Sequence, residues 1–338
     1  MVFGWDIGGV NTKVAQVAGG QVLTVTARPF ELQRDPDALV PVLRALAGAL
    51  GVHGSARHAI TMTAELSQMF RTKRDGVAFV LDAVERAFPA DDIRVFAVDG
   101  RFLSTADART RPLLVAAANW AATARAVATQ HPDTLLIDVG TTTTDCIPIV
   151  GGRIAAAGWN DADRLASGEL VYTGALRTPV EAIVSEVPYC DGTASVSAEG
   201  FALTGDVHVW RGSLDPRDYT VPPPDRRPTS RQYCGERLAR VVCADMELLD
   251  ADAVSRIADA IADAQIRRIA TALHRIRLRH PTMRTAIPMG VGAFIAGLAA
   301  RAAGLEVVDG SGLWGTDASR CAPAAAVAVL LEQETVHA

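Results

Sequence analysis

Cysteine is sparse in this sequence. The five cysteines are odd in number and lie far apart along the 338 residues. None forms a Cys-x-x-Cys pair, so the spacings typical of zinc sites and disulfide frameworks are absent. We therefore expect free thiols and a reducing, cytoplasmic environment.

The sequence also lacks an excess of positive charge and a long apolar run. Its net charge is −5 and its pI is near 5.8, which gives no basic footprint for nucleic acid or an anionic membrane. Of the two most apolar later stretches, residues 113–128 contain Arg125 and residues 322–331 are too short to cross a bilayer. We expect the first residues to enter a strand, without a basic-then-apolar leader. These features predict a soluble, cytoplasmic protein that binds neither nucleic acid nor membrane, and they leave homo-oligomer formation open.

What the sequence does contain is a duplicated segment. Two stretches match without a gap at an offset of 132 residues. Residues 6–13 read DIGGVNTK and run on to a Gly-Gly pair, and residues 138–145 read DVGTTTTD and run on to another. Each copy has an apolar strand before the Asp-x-Gly turn and an alternating strand after it. A single turn of this kind is common, but two in register favour paired phosphate-binding hairpins over an ordinary β-meander.

The residue types in the two copies suit a phosphate or diphosphate ligand. A turn after a strand exposes consecutive backbone N–H groups, and glycine lets a phosphate oxygen approach them without a Cβ in the way. Threonine hydroxyls add further donors. The predicted ligand-binding residues are Gly8, Gly9, Asn11 and Thr12 in the first copy, and Gly140, Thr141, Thr142, Thr143 and Thr144 in the second.

The charged residues predict divided roles. Asp6 and Asp138 lie at strand ends and are expected to hold a hydrated Mg²⁺, which usually contacts one or two carboxylates and keeps several waters. Lys13 is a compact cation suited to a leaving phosphate. Its counterpart in the repeat is Asp145, whose acidic side chain suits a metal ligand or a general base. Glu65, just past another strand, is the second candidate base, with a plain helix-start carboxylate as its alternative.

A third glycine-bearing turn occurs at residues 288–294, which read PMGVGAF. Turns of this kind, here with Gly290 and Gly292, place a helix N-terminus against a nucleotide or another anion. The alternative is close packing of a strand against a helix. Another weaker signal is the cationic run at residues 70–77, which suits either an anion at the start of a helix or a solvated surface.

The order of predicted elements indicates an α/β protein with two duplicated lobes, residues 1–132 and 133–338. A mostly helical insertion is expected in the second lobe at about residues 160–283. Within it, regularly spaced apolar residues predict one helix from 251 to about 280. We also expect a long alanine-rich helix over residues 109–130.

Together, the three turns resemble those of the actin/sugar-kinase/Hsp70 superfamily, in order and in spacing. That resemblance implies an actin-like ATPase (ribonuclease H-like) fold, in which two phosphate hairpins and an adenosine-side turn line a cleft between two domains. A closer resemblance is to the hydantoinase/oxoprolinase-related branch found in tetrahydromethanopterin-linked one-carbon pathways. The segments that carry it are residues 6–13, 61–66 (TMTAEL), 117–120 (AANW), 138–145 and 172–174 (YTG).

This resemblance implies a transferase of methanofuran biosynthesis. Such an enzyme condenses an aminomethyl-furan-methanol diphosphate with the phenol of a tyramine, tyrosine or glutamylated unit, forming an aryl ether and releasing diphosphate. The hairpins would then hold the substrate's diphosphate, with Mg²⁺ and Lys13 stabilising its departure. Glu65 or Asp145 would deprotonate the phenol, and Trp120 is a candidate to flank a substrate ring. ATP binding is compatible with this interpretation but is not required by it.

Two other classes of function stay open at this point. One is an ATP-dependent amidohydrolase or small-molecule kinase of the same superfamily. The other is a nucleotide-dependent switch that regulates a partner protein and turns over little substrate, although no segment resembles an appended DNA-binding or peptide-binding module.

Overall fold

The computed structural model describes residues 1–51 and 56–336. In chain order, the strands are β1 (Val2–Ile7), β2 (Asn11–Ala18), β3 (Gln21–Pro29), β4 (Arg57–Met62), β5 (Asp92–Phe96), β6 (Phe102–Leu103), β7 (Thr134–Val139), β8 (Thr144–Val150), β9 (Arg153–Ile154), β10 (Leu170–Val171), β11 (Glu186–Tyr189), β12 (Gly192–Ser195), β13 (Thr285–Met289) and β14 (Glu306–Val307). The helices are α1 (Leu39–Ala49), α2 (Lys73–Ala87), α3 (Thr105–Thr110), α4 (Pro112–Val115), α5 (Asn119–Ala128), α6 (Asp161–Ser167), α7 (Thr204–Trp210), α8 (Arg231–Arg240), α9 (Ala251–Arg279), α10 (Ala293–Ala302), α11 (Ser311–Trp314), α12 (Thr316–Arg320) and α13 (Ala322–Val336).

The chain forms two compact units. The first comprises residues 1–134, 147–161 and those from 309 onward, and the second comprises residues 135–146 and 162–308. These units differ from the predicted lobes of 1–132 and 133–338, because two segments expected in the second lobe lie with the first unit.

The first unit is built on a six-stranded sheet with the order β3-β2-β1-β4-β5-β6. Strands β1 to β3 form an antiparallel meander, while β4 pairs in parallel with both β1 and β5. Every residue of β1 is buried, which is expected for a central strand covered on both faces. One face packs against α1 and α2 around Trp5, Ile7, Ile60 and Leu81.

Helix α13 covers β1 on the other face, which explains why the C-terminal segment belongs to the first unit. A Cβ placed on Gly4, in the middle of β1, would lie 2.0 Å from the carbonyl oxygen of Ala324, so this glycine lets the alanine-rich helix approach closely. The carboxylate of Glu332 also accepts hydrogen bonds from the backbone N–H groups of Gly19 and Gly20 at 3.0 and 2.6 Å. These contacts join residues more than 300 positions apart, so local sequence patterns could not predict them.

The second unit contains most of a sheet with the order β10-β8-β7-β13-β14, in which β13 runs parallel to β7 and to β14. Its insertion is mostly helical, as predicted, with α6 to α9 and one β-hairpin formed by β11 and β12. Helix α9 runs from Ala251 to Arg279, close to the predicted bounds. Asp250 begins it by accepting a hydrogen bond from the Ala253 N–H at 2.8 Å.

The helix expected over residues 109–130 is interrupted. Pro112 opens the short α4, and the chain then becomes extended at Ala116, which forms a parallel β-bridge with Met62. Ala117 adopts a left-handed conformation with φ of 49°, and α5 begins only at Asn119. The prediction of one continuous helix was wrong, because pairing with the end of β4 overrides the helical preference of alanine.

Within residues 1–51 and 56–336, every helix is too short or too polar to cross a membrane.

Candidate active site

The two Asp-x-Gly turns have the same hydrogen bond in each unit. In the first, the Gly8 N–H donates to the Asn11 carbonyl at 2.9 Å, and in the second the Gly140 N–H donates to the Thr143 carbonyl at 2.9 Å. The duplication read from the sequence is therefore present in the backbone.

The Gly-Gly pairs that follow also match. Gly19 and Gly20 have φ of 61° and 76°, and Gly151 and Gly152 have φ of 55° and 71°. Positive φ at both central residues is the requirement of the tightest hairpin turns, which L side chains adopt with strain. Each copy is thus a strand, an Asp-x-Gly turn, a second strand and a two-residue hairpin turn.

At the first turn, a cation and a carboxylate lie side by side. Asp6 and Lys13 are opposite each other in the β1–β2 register, and Lys13 Nζ is 3.6 Å from Asp6 Oδ2. A Cβ on Gly8 would lie 2.8 Å from the Asn11 carbonyl oxygen, so that turn needs glycine for its own packing. A Cβ on Gly9 would meet no atom within 4 Å. Gly9 therefore presents open backbone, as expected where a ligand oxygen approaches.

The end of β4 lies next to this turn. The Thr63 N–H donates to the Ile7 carbonyl at 3.0 Å, and a Cβ on Gly8 would lie 3.3 Å from the Thr63 hydroxyl. Glu65 follows in a 3₁₀ turn, Ala64–Leu66. The carboxyl ends of β1 and β4 thus place Glu65 and the first hairpin at the same edge of one sheet.

Glu65 is an acidic residue buried in the protein interior. Its side chain is 1% exposed, and neither carboxylate oxygen has a hydrogen-bond partner among the residues described. Burial raises the pKa of Glu65 to about 7. Three groups lower this pKa part of the way: the backbone amides of Glu65 and Ala117 and the Lys73 cation. The Asp161 carboxylate raises it. Neither amide reaches standard hydrogen-bond geometry with the Glu65 carboxylate. An acid with a pKa near 7 can exchange a proton at neutral pH.

The cationic run at residues 70–77 forms the start of α2. Thr72 caps the helix and exchanges hydrogen bonds with Asp75, and Lys73 Nζ forms an ion pair with Asp161 Oδ2 at 2.9 Å. A Cβ on Gly76 would lie 2.5 Å from the Glu65 Cα, so this glycine lets α2 pack directly on the turn that carries Glu65.

The second hairpin is fixed by the segment that follows β10. The Ala175 N–H donates to the Gly140 carbonyl at 2.9 Å, and the Arg177 N–H donates to the Thr141 carbonyl at 3.0 Å. The Thr144 hydroxyl is buried and donates to the Thr173 carbonyl at 2.7 Å. This corrects the prediction that all four threonine hydroxyls serve a ligand, because the first residue of β8 points its side chain into the unit.

Asp145 is held in an ion pair. Its carboxylate accepts from the buried Arg164 guanidinium, which also donates to the Glu169 carbonyl at 3.3 Å. A carboxylate stabilised by an adjacent guanidinium is a weak base. The two candidate bases therefore lie in different environments, Asp145 paired with a guanidinium and Glu65 buried without a hydrogen-bond partner for its carboxylate among the described residues.

The third turn is explained by packing. Gly290 has φ of 84°, and a Cβ there would lie 2.3 Å from Asp138 Oδ1. A Cβ on Gly292 would lie 2.4 Å from a Val139 side-chain carbon. Close contact between the β13–α10 turn and the end of β7 accounts for both glycines, and a nucleotide at this turn stays a prediction.

The chain supplies few metal ligands. No group of three or more His, Cys, Asp or Glu side chains within residues 1–51 and 56–336 could hold a metal ion. The hairpins offer Asp6 and Asp138 as one carboxylate each. One carboxylate per hairpin fits Mg²⁺ held mainly by substrate oxygens and water, and it does not fit an all-protein metal cage.

Sequence reasoning missed two features. Of the 33 lysines and arginines only two are lysine, Lys13 and Lys73, and both lie in the first unit. The rarity of lysine, which is visible in the composition, could have drawn attention to Lys73. The other feature is Trp159, which is 45% exposed and has its ring centroid 5.9 Å from that of Trp120. Trp120 is 2% exposed, which makes it a core residue and leaves Trp159 as the accessible member of this pair.

Sequence comparison gives similarity over nearly the whole chain to a named synthase. The chain is 32% identical over 336 residues to (4-{4-[2-(gamma-L-glutamylamino)ethyl]phenoxymethyl}furan-2-yl)methanamine synthase of Methanocaldococcus jannaschii, covering 99% of this chain and 98% of that protein. A protein of the same name from Methanococcus vannielii is 38% identical over 124 residues, which cover 37% of this chain and 55% of the relative.

Structural comparison agrees with the predicted α/β, actin-like ATPase fold. A nucleotide-free structure of acetone carboxylase, from work on ATP-dependent acetone carboxylation, superposes with a TM-score of 0.61 at 12% identity. The match covers 97% of this chain and 70% of that one. Residues 57–334 match the Hydantoinase/oxoprolinase family, and the chain is therefore a member of that family.

Proposed function

We propose that this chain is a transferase of methanofuran biosynthesis that joins an aminomethyl-furan-methanol diphosphate to a phenol and releases diphosphate. The observation that carries the proposal is the 32% identity to the M. jannaschii synthase over 99% of this chain. That enzyme's name describes a product in which a phenol oxygen is bonded to the methylene of an aminomethylfuran. The name also contains a γ-glutamylaminoethyl group, so we propose γ-glutamyl-tyramine as the acceptor.

The reaction needs a base for the phenol. The phenol proton passes to the Glu65 carboxylate, the phenol oxygen attacks the furan methylene, and the methylene–oxygen bond to diphosphate breaks, with its electron pair staying on diphosphate. The aryl ether, diphosphate and one proton on Glu65 account for all atoms and charges. Glu65 suits this step because burial raises its pKa to about 7, nearer to a phenol's than that of an ordinary carboxyl. Asp145 is less suited because Arg164 already stabilises its charge.

The reaction also needs stabilisation of the leaving group. The furan ring supports positive charge on the methylene, so the main demand on the protein is to hold the departing diphosphate. Lys13 and the open backbone at Gly9 are the groups in the first unit that suit this task. Bound Mg²⁺ would neutralise further charge on the diphosphate, with Asp6 as its carboxylate in this unit. Thr141, Thr142 and Thr143 are proposed as donors of the second hairpin.

The proposal is tested with purified protein, a furan diphosphate and γ-glutamyl-tyramine, with Mg²⁺ and no ATP. We expect equal amounts of diphosphate and of the aryl ether, measured by a coupled phosphate assay and by mass spectrometry. Tyramine and tyrosine as alternative acceptors show whether the glutamyl group is recognised. Absence of ether in all three mixtures would refute the proposal.

A second candidate is an ATP-dependent amidohydrolase, which the family's description as hydantoinase/oxoprolinase favours. It predicts ATP hydrolysis that is stimulated by a cyclic amide. The same protein preparation, assayed for ADP with and without such a substrate, distinguishes it from the ether-forming enzyme.

A further inference from the structure

An ion pair lies at the start of the helix that packs on the Glu65 turn. Lys73 begins α2, whose first turns pack directly on the Glu65 turn through Gly76. Its amine is 2.9 Å from a carboxylate oxygen of Asp161, and both residues belong to the first unit. A buried acid, a cation and a second carboxylate therefore form one cluster.

The choice of lysine in this cluster is itself informative. The chain uses arginine at 31 of its 33 cationic positions and lysine only at positions 13 and 73. Arginine carries a planar, permanently charged guanidinium, whereas lysine carries a compact ammonium group on a flexible side chain. Lys13 lies beside Asp6 at the first hairpin, and Lys73 lies beside the Glu65 turn. Each lysine thus pairs with a carboxylate, Lys13 with Asp6 and Lys73 with Asp161.

The charges around Glu65 act in opposite directions. Burial dominates and raises its pKa; the Lys73 cation lowers that pKa, and the Asp161 carboxylate raises it. The Glu65 backbone amide lowers the pKa more than Lys73 does, and the Ala117 amide lowers it less. These are the charged and polar groups that face Glu65 from the start of α2, from the start of α6 and from the segment before α5. Since Lys73 and Asp161 have opposite effects on the Glu65 pKa, those effects partly cancel. A small displacement of either side chain therefore changes how strongly Glu65 holds a proton.

We propose that the Lys73–Asp161 ion pair is a positioning pair for Glu65, which balances its proton affinity so that it accepts the phenol proton and releases it before the next turnover. This inference rests on the proposed function for the identity of the proton donor. The balance itself is a property of the resting protein and is measurable without substrate.

The test is a ¹³C NMR titration of the full-length protein labelled at glutamate side-chain carboxyls, with Glu65→Gln used to assign the Glu65 signal. Lys73→Met should raise the Glu65 midpoint and Asp161→Asn should lower it, each by a threefold to tenfold change in proton affinity, on the order expected for one nearby charge in a partly buried site. Lys73→Arg should restore most of the wild-type midpoint. Arg74→Met, which removes a neighbouring cation of the same helix turn, is the matched control and should leave the midpoint unchanged.

In the enzyme assay, the acid limb of the kcat/KM profile should shift in the same direction as the NMR midpoint in each variant. Midpoints that stay at the wild-type value in both variants, or that move in the same direction in both, would overturn the inference. Should Lys73→Met not fold, the Asp161→Asn titration decides alone. Failure to form an ether refutes the proposed function but leaves the titration result readable, so the two failures are distinguishable.

Discussion

Replacing Glu65 by glutamine should weaken catalysis and, at alkaline pH, stabilise the protein. The wild-type side chain is buried, with both oxygens lacking a hydrogen-bond partner in the described structure, and its pKa is raised to about 7 from the ordinary 4.5. A group whose folded pKa is raised favours the folded state at pH below its unfolded pKa. That contribution is lost as pH rises through the folded pKa, because the buried carboxyl must then ionise.

The magnitude follows from the two pKa values. Between about pH 5.5 and about pH 8.5, linkage predicts that wild-type protein loses about 2 kcal/mol of unfolding free energy through Glu65 alone. Glutamine does not ionise, so the Glu65→Gln variant should not show this loss. The informative quantity is how the difference in unfolding free energy between wild type and variant changes with pH. The cost of burying the glutamine amide is the same at every pH, so it does not affect that change. Over the same range the variant's kcat should fall by about 10²-fold or more through loss of the base.

The assay is a pair of urea titrations, wild type and Glu65→Gln, at each pH, combined with diphosphate release at saturating substrate. We expect the variant to gain stability relative to wild type as pH rises while remaining nearly inactive. Parallel stability curves would show that Glu65 is not a buried group of raised pKa. A variant with wild-type kcat would show that it is not the base.

Further predictions follow from other contacts. Lys13→Met should lower kcat by about 100-fold in the diphosphate assay without moving the acid limb of the pH profile, since it removes a leaving-group contact; a change below about twofold would contradict this. Gly4→Ala should destabilise the protein in thermal melts because its Cβ would collide with α13, whereas Gly9→Ala should leave the melting temperature unchanged and raise KM for the furan diphosphate. Burial lowers the pKa of His208 to about 4, so its stabilising contribution is present above about pH 6.5 and declines by roughly 3 kcal/mol by about pH 4. His208→Gln should remove this acid sensitivity in urea titrations, and an unchanged pH dependence would contradict that assignment.

The sequence predicted what is local or repeated. The duplicated turns at Gly8 and Gly140 were recognisable because the same residues recur at a fixed offset, and both carry the same backbone hydrogen bond. The 29-residue helix α9 was predictable because its buried residues recur at helical spacing. These features depend on neighbouring residues, whose order the sequence displays directly.

What the sequence could not predict depends on contacts between distant residues. The break at Ala117 is imposed by the bridge between Ala116 and Met62, and the position of α13 by its packing on Gly4. The roles of the two candidate bases were separated only by their surroundings. Asp145 meets Arg164, whereas Glu65 is enclosed without a paired oxygen. Such environments arise from the folded chain and leave no periodic trace in the sequence.

The most direct test of the account is the fate of the phenol oxygen. With an acceptor carrying oxygen-18 at the phenol, unlabelled furan diphosphate and no ATP, the account predicts an aryl ether that retains the label and a diphosphate that contains none. An ether that has lost the label, labelled diphosphate, or no ether until ATP is added would contradict attack of the phenol oxygen on the furan methylene.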